Sequence, residues 1–178
     1  MAQFQPLAAG VVLTEAGQAN YEGIVADRLP GADVAAWTLF TFVLGAGRRA
    51  EAFLSDVVRQ HDLDGAQFSV LVVLWMNGPP HRLSPTKLSR YIAQSPSGMT
   101  HTVKRLTTAG LVSRVGLESD GRAKHVELTE QGVEIVRRCS TDLAKALEEL
   151  FPRDEVPLED LSASQRLIVN TLTAGTGN

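Results

Sequence analysis

Two Ser-Pro steps, Ser84-Pro85 and Ser95-Pro96, constrain this chain more than any other feature. Serine is a strong N-cap because its hydroxyl accepts from a free N–H of the first helical turn. Proline fits the first helical position, where an N–H is not needed. Each step therefore predicts a helix start. One helix should run from Pro85 to about Ile92 and a second from Pro96 to about Ala109, where Gly110 stops it. Only Ala93-Gln94 is left between them. Two short helices with so tight a turn make a helix-turn-helix candidate.

The segment after this helix pair is equally patterned. Leu111–Val115 and Lys124–Leu128 alternate apolar and polar residues, and Glu118-Ser119-Asp120-Gly121-Arg122 between them is a polar turn. The two runs predict a β-hairpin, the wing of a winged helix. Upstream, Asp33 to about His61 reads as a long helix and Gly65 to Asn77 as a second, ended by Gly78-Pro79-Pro80. Downstream, Thr129-Glu130-Gln131-Gly132 opens a helix to about Leu150. A last helix is expected to start at Ser162, with Gln165 in the capping-box position. Within residues 1–32, Thr14 is a candidate cap for a short helix carrying Tyr21, Ile24, Val25 and Leu29. The alternative for that stretch is an unstructured tail. The expected fold is mainly α with a small β-hairpin wing. Residues 1–32 form an extension, 65–129 a winged helix-turn-helix, and 33–64 with 130–178 a helical dimerisation region.

On a wheel of about 100° per residue, Met99, Val103 and Leu106 of the second short helix share one side. Ser97, Thr100, His101, Lys104 and Thr108 share the other, which carries no acid. Small hydroxyls allow close approach to a major groove, while His and Lys can donate to base acceptors or phosphates. Taken singly, each of these residues reads equally well as a solvated surface position.

Net charge, −3 at pH 7, at first argues against a polyanionic partner. Its distribution argues the other way. Between His81 and His125 eight Lys and Arg face only Glu118 and Asp120, whereas the rest of the chain has nine basic and eighteen acidic residues. A basic segment in an acidic protein is the footprint of a nucleic-acid-binding face, although a basic patch without a partner would look the same. Arg114, Arg122 and Lys124 extend that segment onto the hairpin. Arg122 at the tip suits insertion into a narrow minor groove, with Asp120 supporting the loop, and the plainer alternative is a surface ion pair of little worth. Ser84, Thr86 and Ser95 sit at helix N-termini, where free N–H groups bind phosphate, although capping alone accounts for them.

These residues together resemble the MarR family of bacterial regulators. The resemblance runs from about residue 35 to 175. It rests on Gln67-Phe68-Ser69-Val70-Leu71, Leu83-Ser84-Pro85-Thr86-Lys87-Leu88-Ser89, Ser95-Pro96-Ser97-Gly98-Met99-Thr100, Lys104-Arg105-Leu106, Ala109-Gly110-Leu111-Val112, Ser119-Asp120-Gly121-Arg122 and Leu128-Thr129-Glu130-Gln131-Gly132. It implies a homodimer joined through its terminal helices, each winged lobe reading half of a pseudopalindromic operator. It further implies a repressor that a small-molecule ligand releases. Trp37, Phe40, Phe68 and Trp75 are candidates for an effector pocket, but aromatics at helical spacing are more often core. Two departures matter. His101 stands where many members carry Arg, and a neutral imidazole gives one donor where a guanidinium gives a fork. The Gly-Pro-Pro segment and the N-terminal extension resemble the urate-responsive branch, yet its acid would fall at Ser69 and its early Trp has no counterpart before Trp37. Urate is therefore not supported.

Other classes fit less well. No Gly-rich phosphate loop, nucleophile elbow or paired-carboxylate motif is present, so an enzyme is not expected. A winged-helix protein-interaction module is the alternative reading; the basic segment and Arg122 argue against it. The single cysteine, Cys139, excludes an intramolecular disulfide and a Cys-based zinc site, and it borders the apolar stripe of its helix, as a core or interface residue would. The histidines His61, His81, His101 and His125 show no i, i+4 pair. Neither metal nor cofactor is expected. The first residues lack a basic, apolar leader pattern and the richest apolar run, Phe68–Met76, is too short to span a bilayer. A cytoplasmic protein with no membrane association is the expectation.

Overall fold

A computed structural model describes residues 15–116, 124–152 and 158–175. The element order is α1 (Glu15–Arg28), α2 (Val34–Arg59), α3 (Gly65–Met76), β1 (Arg82–Leu83), α4 (Pro85–Ile92), α5 (Pro96–Thr108), β2 (Val112–Gly116), β3 (Lys124–Leu128), α6 (Glu130–Leu150) and α7 (Leu158–Gly175). The chain divides into two compact units, Met1–Ser69 and Val70–Asn178, with the division inside α3.

In the first unit α1 packs on α2. Val25 and Thr38 are buried there, and the Tyr21 and Thr41 hydroxyls are hydrogen-bonded at 2.9 Å. The proposed cap Thr14 lies outside the described residues. Asp33 caps α2 by accepting from the Ala36 N–H at 3.0 Å. Much of the first half of α2 is apolar yet exposed: Trp37, Leu39, Phe40, Phe42 and Leu44 are all more than two-fifths exposed. The start of α3 holds a reciprocal capping box, whose Asp64-x-x-Gln67 spacing ahead of an apolar run is visible in the sequence. Gln67 N–H donates to Asp64 Oδ1 at 2.8 Å, and the Gln67 side chain answers the Asp64 N–H at 3.0 Å.

In the second unit a three-stranded antiparallel sheet, ordered β1-β3-β2, packs against α4, α5 and α6. The β2–β3 hairpin was expected; β1 was not. Arg82 pairs with Glu127 and Leu83 with Val126, so the wing gains a short edge strand on its open side. Val112 pairs with Leu128 and Arg114 with Val126. Partners in an antiparallel ladder share a face. Leu83, Val112, Val126 and Leu128 are buried on one face, and Arg82, Ser113, Val115, His125 and Glu127 occupy the other. Leu71, Leu74, Leu88, Met99, Leu106, Val136 and Cys139 are also buried in this unit. Each such side chain contributes roughly 1.5–3 kcal/mol relative to an exposed one.

One helix start needs correction. α7 begins at Leu158, so Ser162 lies inside the helix and is not its N-cap, and Gln165 answers no cap. The sequence Leu158-Glu159-Asp160 sets two acids where the positive end of a helix favours them. That competing start signal outweighed the Ser–Gln pattern.

Candidate nucleic-acid interface

The two Ser-Pro steps build the framework. Ser84, in extended conformation, accepts from the Lys87 N–H at 3.3 Å, and Ser95 accepts from the Gly98 N–H at 3.2 Å. Both hydroxyls are thus used in capping, while other N–H groups of each first turn stay available to an anion. The turn between the helices is closed by Ala93 in the left-handed region (φ 52°), with Gln94 N–H donating back to the Ser89 carbonyl at 3.2 Å. Gln94 also reaches forward, its Nε2 donating to the Thr102 hydroxyl at 3.3 Å, and Thr102 donates in turn to the Gly98 carbonyl. Thr102 is buried, a polar tie inside the angle of the two helices that an apolar periodicity does not reveal.

This framework fixes which side of α5 faces outward. Met99, Val103 and Leu106 are 1%, 2% and 0% exposed. Ser97, Thr100, His101, Lys104 and Thr108 are all exposed. The Thr100 hydroxyl donates to the Pro96 carbonyl at 2.9 Å, so that residue presents a methyl group and an acceptor rather than a donor. Ser97 and Ser95 hydroxyls are hydrogen-bonded at 3.2 Å. Thr86 is exposed in the first turn of α4. A groove of about 400 Å³ lies between α4 and α5, lined by Pro85, Thr86, Ser89, Arg90, Gln94, Pro96, Met99 and Thr100.

On the hairpin, Arg114 is exposed, directly opposite Val126, on the face that farther down carries Val112 and Leu128. The same register puts position 124 on that face, opposite Gly116. Arg122 and Asp120 lie outside the described residues. Of the four aromatics considered for an effector pocket, Trp37 and Phe40 are exposed on α2, Phe68 is buried and Trp75 is half-buried. None of them lines the groove between α4 and α5.

Cys139 is fully buried on α6. Burial, reinforced by the nearby Asp142 carboxylate, pushes its thiol from 9.0 up to about 11. It is a packed, neutral group. Among the described residues no group of three or more His, Cys, Asp or Glu is placed to hold a metal ion, and no helix is long and apolar enough to cross a membrane.

Residues 61–123, from the end of α2 through both helices of the turn and into the wing, match the MarR family. Over that segment the chain is similar to the MarR family, as the sequence motifs imply. PecS of Dickeya dadantii, an HTH-type transcriptional regulator, is 28% identical over 85 residues, which are 48% of this chain and 51% of PecS. The chain thus spans about half the length of that relative. PrsX of Escherichia coli, another HTH-type transcriptional regulator, is 24% identical over 113 residues, 64% of this chain and 68% of PrsX. Among solved structures, Sco3205, a MarR family regulator from Streptomyces coelicolor in complex with DNA, superposes with a TM-score of 0.71. At 23% identity, that match covers 85% of this chain and 94% of Sco3205 and shows the shared fold.

Proposed function

We propose that this chain, like the MarR regulators it resembles, is a transcription regulator that binds duplex DNA as a homodimer and performs no catalysis. The observation that carries the reading is the outward face of α5. Ser97, Thr100, His101 and Lys104 are exposed and free of acids, on a helix whose opposite side is buried. Such a helix can enter a major groove, with Lys and His donating to bases or phosphates. Ser84, Thr86 and Ser95 at the two helix starts suit phosphate contacts. Arg114, Lys124 and Arg122, with Asp120 in support, suit contacts from the wing to the backbone or minor groove.

The exposed apolar run Trp37, Leu39, Phe40, Phe42 and Leu44 on α2 suits burial against a second copy of this chain, because a patch of that kind is rare on a monomer. Repression, release by a small-molecule effector and a cytoplasmic setting complete the proposal, as the sequence resemblance implies. Trp37 and Phe40 are the accessible candidates for effector contact.

Titration against random duplex DNA at several salt concentrations tests the reading. Affinity should fall steeply as salt rises, because each phosphate neutralised releases counterion. No binding at low salt would overturn it.

A further inference from the structure

We propose that Arg82 and Glu127 act as a positioning pair that fixes the wing relative to the start of α4, and that this pair sets discrimination between operator and random DNA. The inference rests on the DNA-binding reading proposed for this chain. Glu127 lies on the central strand β3, and Arg82 on the two-residue edge strand β1 directly opposite it. Arg82 Nε donates to Glu127 Oε2 at 2.6 Å, and its terminal nitrogen approaches the same oxygen at 2.5 Å. Both side chains are only part-exposed, at 30% and 24%. A doubly held, partly desolvated ion pair is stronger and more directional than an exposed one.

Its place in the chain gives it leverage. Arg82 stands two residues before Ser84, the cap of α4. Its carbonyl accepts from Asn77 Nδ2 at 3.3 Å, and the preceding carbonyl, of His81, accepts from Leu128 N–H at 3.2 Å. The other edge of the hairpin is tied independently: Thr129 N–H donates to the Leu111 carbonyl at 3.1 Å, and the Thr129 hydroxyl to the Gly110 carbonyl at 2.7 Å. The wing is therefore tied to the end of α5 by Thr129, and to the start of α4 by β1, by the packing of β3 on α4 and by this ion pair. Loosening the pair leaves the wing folded on α4 but less sharply set against it. Random DNA, held by charge alone, tolerates that shift; a specific site, which needs both elements in register, does not.

The test uses the full chain with R82Q, E127Q and the charge swap R82E/E127R. Each binds a duplex selected from random sequence with the wild type, and a scrambled duplex of equal length, at fixed salt. Each single variant should lose about tenfold in affinity for the selected duplex, the size of an ordinary coupling between sites. Affinity for the scrambled duplex should change less than about threefold, a factor beneath that coupling. The swap should recover most of the selected-duplex affinity. Equal losses on both duplexes would make Arg82 a plain phosphate contact and overturn the proposal. So would singles that match the wild type on both duplexes, or a swap that recovers nothing. Thermal midpoints identify a variant that has failed to fold, in which case R82K replaces it: a lysine keeps the charge but not the double hold, and should give a smaller loss confined to the selected duplex. Wild-type protein that enriches no duplex from random sequence and binds none at low salt would instead overturn the DNA-binding reading itself.

Discussion

The backbone of Gly132 passes so close to Leu111 that a Cβ at residue 132 would stand 2.0 Å from the Leu111 carbonyl oxygen. Two residues from different elements, the first turn of α6 and the entry to β2, are thereby packed backbone to backbone. Thr129 holds the same junction: it caps α6 by accepting from Gly132 N–H at 3.0 Å while donating to the Gly110 carbonyl. The run Leu128-Thr129-Glu130-Gln131-Gly132 is thus a clamp between hairpin and helix, with the threonine supplying the hydrogen bonds and the glycine supplying the room.

Gly132→Ala should therefore be severely destabilising. The atom it would strike is backbone, which cannot swing aside as a flexible side chain can. Overpacking of this kind costs about 1–3 kcal/mol or more. Urea denaturation should show a lowered midpoint, and an unchanged midpoint would mean that the α6–β2 junction can open to admit a methyl group.

Thr129→Ala removes a cap and leaves the Gly110 carbonyl without its hydroxyl donor. The expected cost is about 1–2 kcal/mol, and Thr129→Ser should restore most of it because the hydroxyl returns. The pair of variants, compared by thermal melting, separates the hydrogen bonds from the packing of the threonine methyl. If serine is no better than alanine, the methyl is what matters.

Much of this architecture is legible in the chain because its signals are local. Ser84-Pro85, Ser95-Pro96, Gly110 and Thr129 act on neighbours within four residues, and the structure places the helix ends beside them. What escaped was non-local or too short for a period to show. Arg82-Leu83 is a two-residue strand whose partner lies more than forty residues away, so no alternation can announce it. Thr102 is buried and accepts from Gln94; its wheel position beside Leu106 agrees with burial, but a hydroxyl does not register in an apolar pattern. At Ser162 the local signal misled, because an earlier start at Leu158 absorbed it. The outward set on α5 was legible for a simple reason: a buried stripe of three apolar residues fixes the rotation of a short helix.

Cys139 makes stability depend on alkaline pH. Its folded thiol, pushed up to about 11, is raised above its value of 9.0 when unperturbed. The stabilisation of the neutral, buried form is complete below about pH 9 and is lost as pH rises toward about 11, because the unfolded thiol ionises first. Denaturation midpoints measured across that window should fall more steeply for the wild type than for Cys139→Ala. In the native protein at pH 8, a thiol reagent should react slowly, and rapid reaction would contradict burial of the sulfur.

Lys104 and His101 lie side by side on the exposed face of α5, but they should fail differently. An ammonium acts as a point charge that suits phosphate, so Lys104→Ala should weaken binding to all duplexes alike and lower the salt slope by about 1. An imidazole in the major groove donates to a base acceptor, so His101→Ala should change preference at particular base positions, by roughly 1–3 kcal/mol, and leave the slope nearly unchanged. His101→Arg supplies a bidentate fork at the same point and should shift preference toward guanine there. Selection of sites from random duplex DNA by each variant, with salt titration of the selected duplexes, reads both quantities. A uniform loss for His101→Ala, with no change in the selected sequence, would move base recognition away from residue 101 and toward Ser97, one turn earlier, and the adjacent Thr100 on the same face.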